Sequence, residues 1–238
     1  MEDLAMLQSI IQHSEKMKPW HQLNQFISTR NIGLINQIEL DEYIRKIKHD
    51  SILHPPAKKS EEDEFVFIEL ERKLINHIGT VFLFMEYTRR LSKKMESEKK
   101  GIINYQNRVD NDFKKNGCIQ FVHKLRNYFI HNDVINLIIK TEFSTSNGEN
   151  KYILIDTKDL VLDHDNWNSE SLKYITECGN EINVENAINE YNRIQKDFFE
   201  WFISEYKKNY KEDLEYSQKI IDEWNVKVSL IYSGLGIK

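Results

Sequence analysis

Apolar positions return every three or four residues along most of this chain, the pattern of helices that bury one face. Between Asp3 and about Arg30 the stripe begins Leu4, Leu7, Ile10 and Ile11, and Pro19 opens a second short helix after a break. Residues 34–48 read as a further short helix. The sequence HPPAKKS at 54–60 then stops the pattern, because two prolines disfavour helix before them and supply no amide donors. It marks a linker between an N-terminal helical extension, 1–55, and a helical domain, 60–238. Ser60 stands where an N-cap belongs, with Glu61, Glu62 and Asp63 in the first turn that follows. The stripe Phe67, Leu70, Leu74, Ile78, Val81 and Met85 predicts a long helix that fades near residue 100 in SKKMESEKK.

Asn116 and Gly117 prepare the next helix. After it the period changes: VINLIIKTEF (134–143) and KYILID (151–156) are rich in β-branched residues and flank the turn pair Asn147-Gly148, which predicts a β-hairpin. From Asn183 onward, Val184, Ala187, Ile188, Tyr191, Ile194, Phe198, Trp201 and Phe202 define a long amphipathic helix, and 211–230 reads as another. The expectation is a mainly α protein, an up-and-down helical bundle with a β-hairpin inserted near 134–157. Trp20 and Phe26 read as packing residues.

Composition narrows the class. In 238 residues only 3 Pro and 8 Gly interrupt the chain, which suits helices better than a β-sandwich. A formal net charge of -5 means that any contact with a nucleic acid has to use a local patch. Cys118 and Cys178, the two cysteines, are spaced neither as a disulfide framework nor as zinc ligands, and fit a reducing cytoplasm. The N-terminal MEDLAMLQSIIQHSEK has no signal-peptide core, and the apolar run IGTVFLFM (78–85) is far short of a bilayer span. A cytoplasmic protein without a membrane partner is expected.

The chemistry concentrates in LRNYFIHND, residues 125–133. On a helical wheel with Leu125 at zero, Cys118, Phe121, Val122, Tyr128 and Phe129 fall within about 60° of it and form a core face. Arg126 lies near about 100°, His123 about 160°, Asn127 about 200° and His131 about 240°, a polar arc turned away from that core. Arg126 and His131 are separated by about 7.5 Å along the axis, close enough for both to reach a group lying over Asn127. Ile130, in the middle of the arc, suits a contact with another chain. With 8 Arg, 22 Asn and 8 His in the chain, RNxxxH arises by chance only about 0.02 times. A looser Arg-to-His match, RKLINH, carries Arg72 and His77, but His77 borders the apolar stripe and reads as a packed histidine.

The segment FVHKLRNYFIHND resembles the signature of the HEPN superfamily, whose RNase members carry an arginine, a polar residue, three variable residues and a histidine on a bundle helix. Arg126, Asn127 and His131 match that motif residue by residue, over 118–133. The resemblance implies an HEPN-like bundle and a metal-independent endoribonuclease, acting as a homodimer through the motif helix, with two motifs facing each other. It places the chain among prokaryotic toxins or phage-defence effectors, with an antitoxin or other regulatory protein as a possible partner. His131 would exchange protons with the ribose 2′-hydroxyl or the leaving 5′-oxygen, a role suited to an imidazole whose ordinary pKa is about 6.5. Arg126 would clamp the scissile phosphate and Asn127 would orient the histidine or bind a phosphate or ribose oxygen. The products implied are a 2′,3′-cyclic phosphate and a 5′-hydroxyl.

Around the motif, Arg108, Lys114, Lys115, Lys124 and Arg126 compose a candidate RNA-binding patch, with His123 either extending it or simply exposed; Lys114 and Lys115 read equally as a solvated loop. No cofactor or metal is expected. His123 and His131 stand about 12 Å apart on a helix, too far to share a zinc ion, and Asp163, His164 and Asp165 read as a solvated turn ahead of a weak ion site. No phosphate-binding glycine motif or nucleophile elbow is present. Two other functions stay open: a non-catalytic HEPN-type module that binds RNA, a nucleotide or a protein, and a plain helical interaction protein.

Overall fold

Amphipathic stripes become helices here wherever their apolar side finds a partner. The computed structural model describes residues 2–49, 61–131, 135–144, 148–162 and 164–234. The described elements run α1 (Glu2–His13), a 3₁₀ turn (Glu15–Met17), α2 (Lys18–His49), α3 (Glu61–Ser97), α4 (Tyr105–Val109), a π-helical turn (Asp110–Lys114) and α5 (Gly117–His131). There follow β1 (Leu137–Ser144), β2 (Gly148–Asp156), α6 (Thr157–Leu162), a 3₁₀ turn (His164–Asn166), α7 (Ser169–Glu177), β3 (Glu181–Asn183), α8 (Val184–Asn209) and α9 (Lys211–Gly234). The fold is mostly helical with one small antiparallel sheet. No described helix is long and apolar enough to cross a membrane.

Two of the expected short helices are one. Pro19 sits in the first turn of α2, where its missing amide leaves no bond unmade, and the helix then runs 32 residues without a break. A single glycine, Gly33, does not interrupt it. The proposed linker at 54–60, the cap Ser60 and the boundary drawn between 55 and 60 lie outside the described residues. Contacts gather the chain into two compact units made of separated segments: 1–28, 88–102 and 199–238 form one, and 29–87 with 103–198 form the other.

In the first unit α1 packs on α9, and Phe26 is wholly buried against Phe199 and Phe202, with ring centroids 5.1 and 5.2 Å away. The Tyr206 hydroxyl bonds the Pro19 carbonyl at 3.1 Å. Tyr210 donates to the Glu98 carboxylate, which together with burial holds its phenol protonated well above the ordinary range. Phe26 is thus a packing residue, as its position in the stripe implies.

The second unit carries the motif. There the C-terminal part of α2 runs antiparallel to the start of α3: the Asn36 amide donates to the Asn76 carbonyl at 3.3 Å, Lys73 pairs with Glu39 at 3.4 Å, and the Tyr43 hydroxyl donates to the Val66 carbonyl at 3.3 Å. Leu70, Leu74 and Ile78 of the α3 stripe are fully buried. His77 joins them, its Nε2 3.0 Å from the Asn192 side-chain oxygen; burial holds its pKa below the ordinary value. The packed-histidine reading of RKLINH holds.

The hairpin forms with Leu137 opposite Ile155 and Ser144 opposite Gly148; Asn147 of its turn lies outside the described residues. A third strand, β3, adds to β2 with Ile182 opposite Ile155. Leu137, Ile153, Ile155 and Ile182 are buried together. Three residues are too few to show an alternating pattern, and β3 abuts a helix whose stripe dominates the sequence there. Of the long α8 stripe, Val184, Ala187, Ile188, Tyr191, Phe198 and Phe202 are buried, whereas Trp201 is only half-buried.

Candidate functional site

The motif helix begins on a cap and a close approach. The Asn116 side chain accepts the Ile119 amide at 3.1 Å, which satisfies one of the free donors of the first turn. At Gly117 an added Cβ would lie 2.9 Å from the Glu170 carbonyl oxygen and 3.0 Å from Tyr174 Cβ, so α5 and α7 meet closely at this point. α7 carries its own capping box, Asn168 with Ser171, and Asn168 also donates to Gln120 of α5. Trp167, whose indole donates to the Leu160 carbonyl at 2.9 Å, stacks on both Phe121 and Tyr128 at 5.6 Å. This side of α5 is the core face that the wheel locates.

The opposite side is not simply solvent. His123 was expected at the surface and is instead turned inward: its ring lies 5.4 Å from that of Phe82, 5.7 Å from Tyr191 and 6.3 Å from Phe113, almost parallel to the last. Part of the residue still reaches the surface, yet its Nε2 is shut away from solvent and has no hydrogen-bond partner among the described residues. Burial alone pushes its pKa down to about 4. A neutral imidazole held between aromatic rings is no phosphate ligand, so His123 leaves the RNA-binding set. A wheel assumes one buried face; α5 has α7 and the Trp167 stack on one side and aromatic residues of α3, α8 and the π-helical turn on the other.

Arg126 shares that second side. Its guanidinium carbon lies 4.5 Å from the centroid of the Phe82 ring, within the range of a cation–π contact. Its hydrogen bond to the side-chain oxygen of Asn127 is long, 3.5 Å, and among the described residues no carboxylate pairs with it. Arg126 borders a cavity of about 400 Å³. α3 supplies Ile75, Asn76, Ile78, Gly79 and Thr80 to its wall, and Asn36 and Phe129 complete it.

The other predicted residues are less concentrated. Asn127 is half-buried beside Arg126. His131 is the last residue of α5, which keeps the motif on one continuous helix; its side chain, like that of Ile130, lies outside the described residues. Lys124 is half-buried, with no ion pair among the described residues. The rest of the basic patch is answered by acids one turn away: Arg108 binds Asp112 at 2.6 Å, and Lys114 binds Asp110 at 2.7 Å. Lys114 is also the main reason that the Asp110 carboxyl titrates below its ordinary value. Lys115 donates to Asn111 at 3.1 Å. Arg108 and Lys114 therefore project less free charge than their sequence suggests.

The cavity itself was not foreseen. Asn36, Asn76, Gly79 and Phe129 come from three helices, and only their packing makes them neighbours. One signal existed, a lone glycine inside the α3 stripe, which often marks a close approach or a functional opening in a helix. Among the described residues no group of three His, Cys, Asp or Glu is arranged to hold a metal ion. Comparison with known proteins brings no match: no family model fits the chain, and no curated protein or solved structure resembles it significantly.

Proposed function

We propose that the protein is an HEPN-type, metal-independent endoribonuclease whose working residues are Arg126, Asn127 and His131. The observation that carries this reading is the state of Arg126. A guanidinium without an acidic partner among the described residues, its carbon 4.5 Å from the Phe82 ring centroid at the border of a cavity, is matched to a phosphodiester that arrives from solution. A purely structural arginine is ordinarily paired with a carboxylate, as Arg108 and Arg193 are here.

In the proposed reaction His131 takes the proton of a ribose 2′-hydroxyl as the oxygen attacks the adjacent phosphorus. Arg126 donates to the non-bridging oxygens and stabilises the charge that grows as the fifth bond forms. The 5′-oxygen leaves with a proton from the second protomer's His131, giving a 2′,3′-cyclic phosphate and a 5′-hydroxyl. Asn127, four residues before His131, lies one helical turn away and orients the imidazole. Two copies meeting through their motif helices supply both base and acid. A toxin or phage-defence role, restrained by an antitoxin or another regulatory protein, accords with such an activity in the cytoplasm.

The test is incubation of the purified chain with RNA in EDTA, beside His131→Ala and Arg126→Ala. Cleavage to cyclic-phosphate ends is expected, reduced about 10²- to 10⁴-fold in His131→Ala. Cleavage that persists undiminished in both variants, or that needs an added metal ion, overturns the assignment. A second reading, a non-catalytic module that binds RNA or a nucleotide, draws on the same cavity; RNA retained but never cut would favour it.

A further inference from the structure

We infer that the cavity beside Arg126 is a subsite for one nucleobase of an RNA chain, lying next to the phosphate that Arg126 holds. This deepens the preceding proposal and rests on it for the identity of the polymer. The leading observation is Gly79. It stands in the middle of α3, a 37-residue helix, where glycine is the least stabilising residue apart from proline. Neither usual reason for a glycine applies. Its backbone is not left-handed, since Gly179 is the one glycine with positive φ among those described. No neighbour approaches it either: a Cβ built there meets nothing within 4 Å, in contrast to Gly117, where one would strike the Glu170 carbonyl at 2.9 Å. What the missing side chain does is keep open the cavity that Gly79 lines.

The walls specify the occupant. A volume of about 400 Å³ falls within the span of small-ligand sites, about 300–1,000 Å³. Ile75, Ile78 and Phe129 offer apolar surface, and Phe129 offers a ring on which a base can stack. Two amides supply the polar edge. Asn36 gives one N–H to the Asn76 carbonyl at 3.3 Å and, among the described residues, keeps its oxygen and second N–H; the Asn76 side chain is exposed and likewise unbonded among them. An amide presents a donor beside an acceptor, the complement of a base edge such as that of adenine. A flat heteroaromatic ring with a hydrogen-bonding edge, tethered to a phosphate on Arg126, fits this apolar, amide-bordered and cationic setting. An aliphatic ligand would leave both amides unused.

The test uses the full chain with Gly79→Leu, Asn76→Ala and Asn36→Ala. Leucine favours the helix and points into the open space, so its thermal midpoint is expected at or above that of the wild type, which separates blocking from misfolding. Calorimetric titration with AMP, CMP, GMP and UMP should show unequal binding to the wild type, at least tenfold weaker binding to Gly79→Leu, and a narrower spread among the bases in Asn76→Ala. On homopolymeric oligoribonucleotides the Gly79→Leu loss should fall mainly on KM, about tenfold. Folded Gly79→Leu that binds mononucleotides as the wild type does, or a wild type that treats all four bases alike, overturns the subsite. If RNA is cut equally by the wild type and Gly79→Leu, the subsite fails and the nuclease stands. If mononucleotides bind and nothing is cut, the subsite stands and the nuclease fails.

Discussion

Replacing His123 by phenylalanine should make the protein more tolerant of acid. The imidazole is held neutral among Phe82, Phe113 and Tyr191, and burial takes its pKa from the ordinary 6.5 to about 4. In the unfolded chain the same group takes up a proton near its ordinary value. Between these limits the unfolded state binds more protons, so folding stability is complete above about pH 6.5 and falls as the pH drops toward about 4. At about 1.4 kcal/mol per pH interval, the loss reaches about 2 kcal/mol by pH 5 and about 3 kcal/mol by pH 4. His77, also held below its ordinary pKa, acts in the same direction and remains in the variant. Denaturant melts at pH 7.5 and pH 5 should therefore give a smaller difference for His123→Phe than for the wild type, by about 2 kcal/mol. Parallel slopes for the two proteins, or an NMR titration of His123 with a midpoint near 6.5, would refute the enclosed neutral imidazole and return His123 to the surface.

Other outcomes follow from the same unit. Gly117→Ala forces a methyl group to within 2.9 Å of the Glu170 carbonyl, and should cost about 1–3 kcal/mol, read in denaturant. Asn168→Ala removes the side-chain half of the α7 capping box, the acceptor of the Ser171 amide, together with the bond to Gln120; a loss of about 1 kcal/mol is expected, and an unchanged midpoint would show that the cap is idle. Cys118 is buried, with its thiol pushed up to about 11 by burial, whereas Cys178 is half-exposed. A maleimide in limiting amount should label Cys178 first by mass spectrometry, and preferential labelling of Cys118 would contradict the packing of α5 on α7.

The HEPN-like reading and the geometry complement each other unevenly. RNxxxH selects one helix out of the chain because three residue types rarely coincide at that spacing. The basic residues near it carried less information, since a formal charge does not reveal its neighbour: Asp110 and Asp112 take up Lys114 and Arg108 within one helical turn. Such i,i+4 pairs are themselves visible in the sequence and argue for a solvated structural face. The Arg126 charge differs because its described partners are an aromatic ring and a neutral amide oxygen.

Local information settled the elements of this protein. Helical periodicity, the proline at the start of α2, the asparagine before α5 and the Asn-Gly pair between two β-branched runs each act over a few residues, and so were legible without coordinates. The continuity of α2 is not legible locally, since it depends on neighbours that hold the helix through Gly33, and neither is β3, since strand pairing is a relation with another segment. The site depended on tertiary structure for the same reason. A wheel states which residues share a side of a helix but not what stands opposite, and only packing turned His123 toward three rings, laid Arg126 over Phe82 and left Gly79 facing an opening.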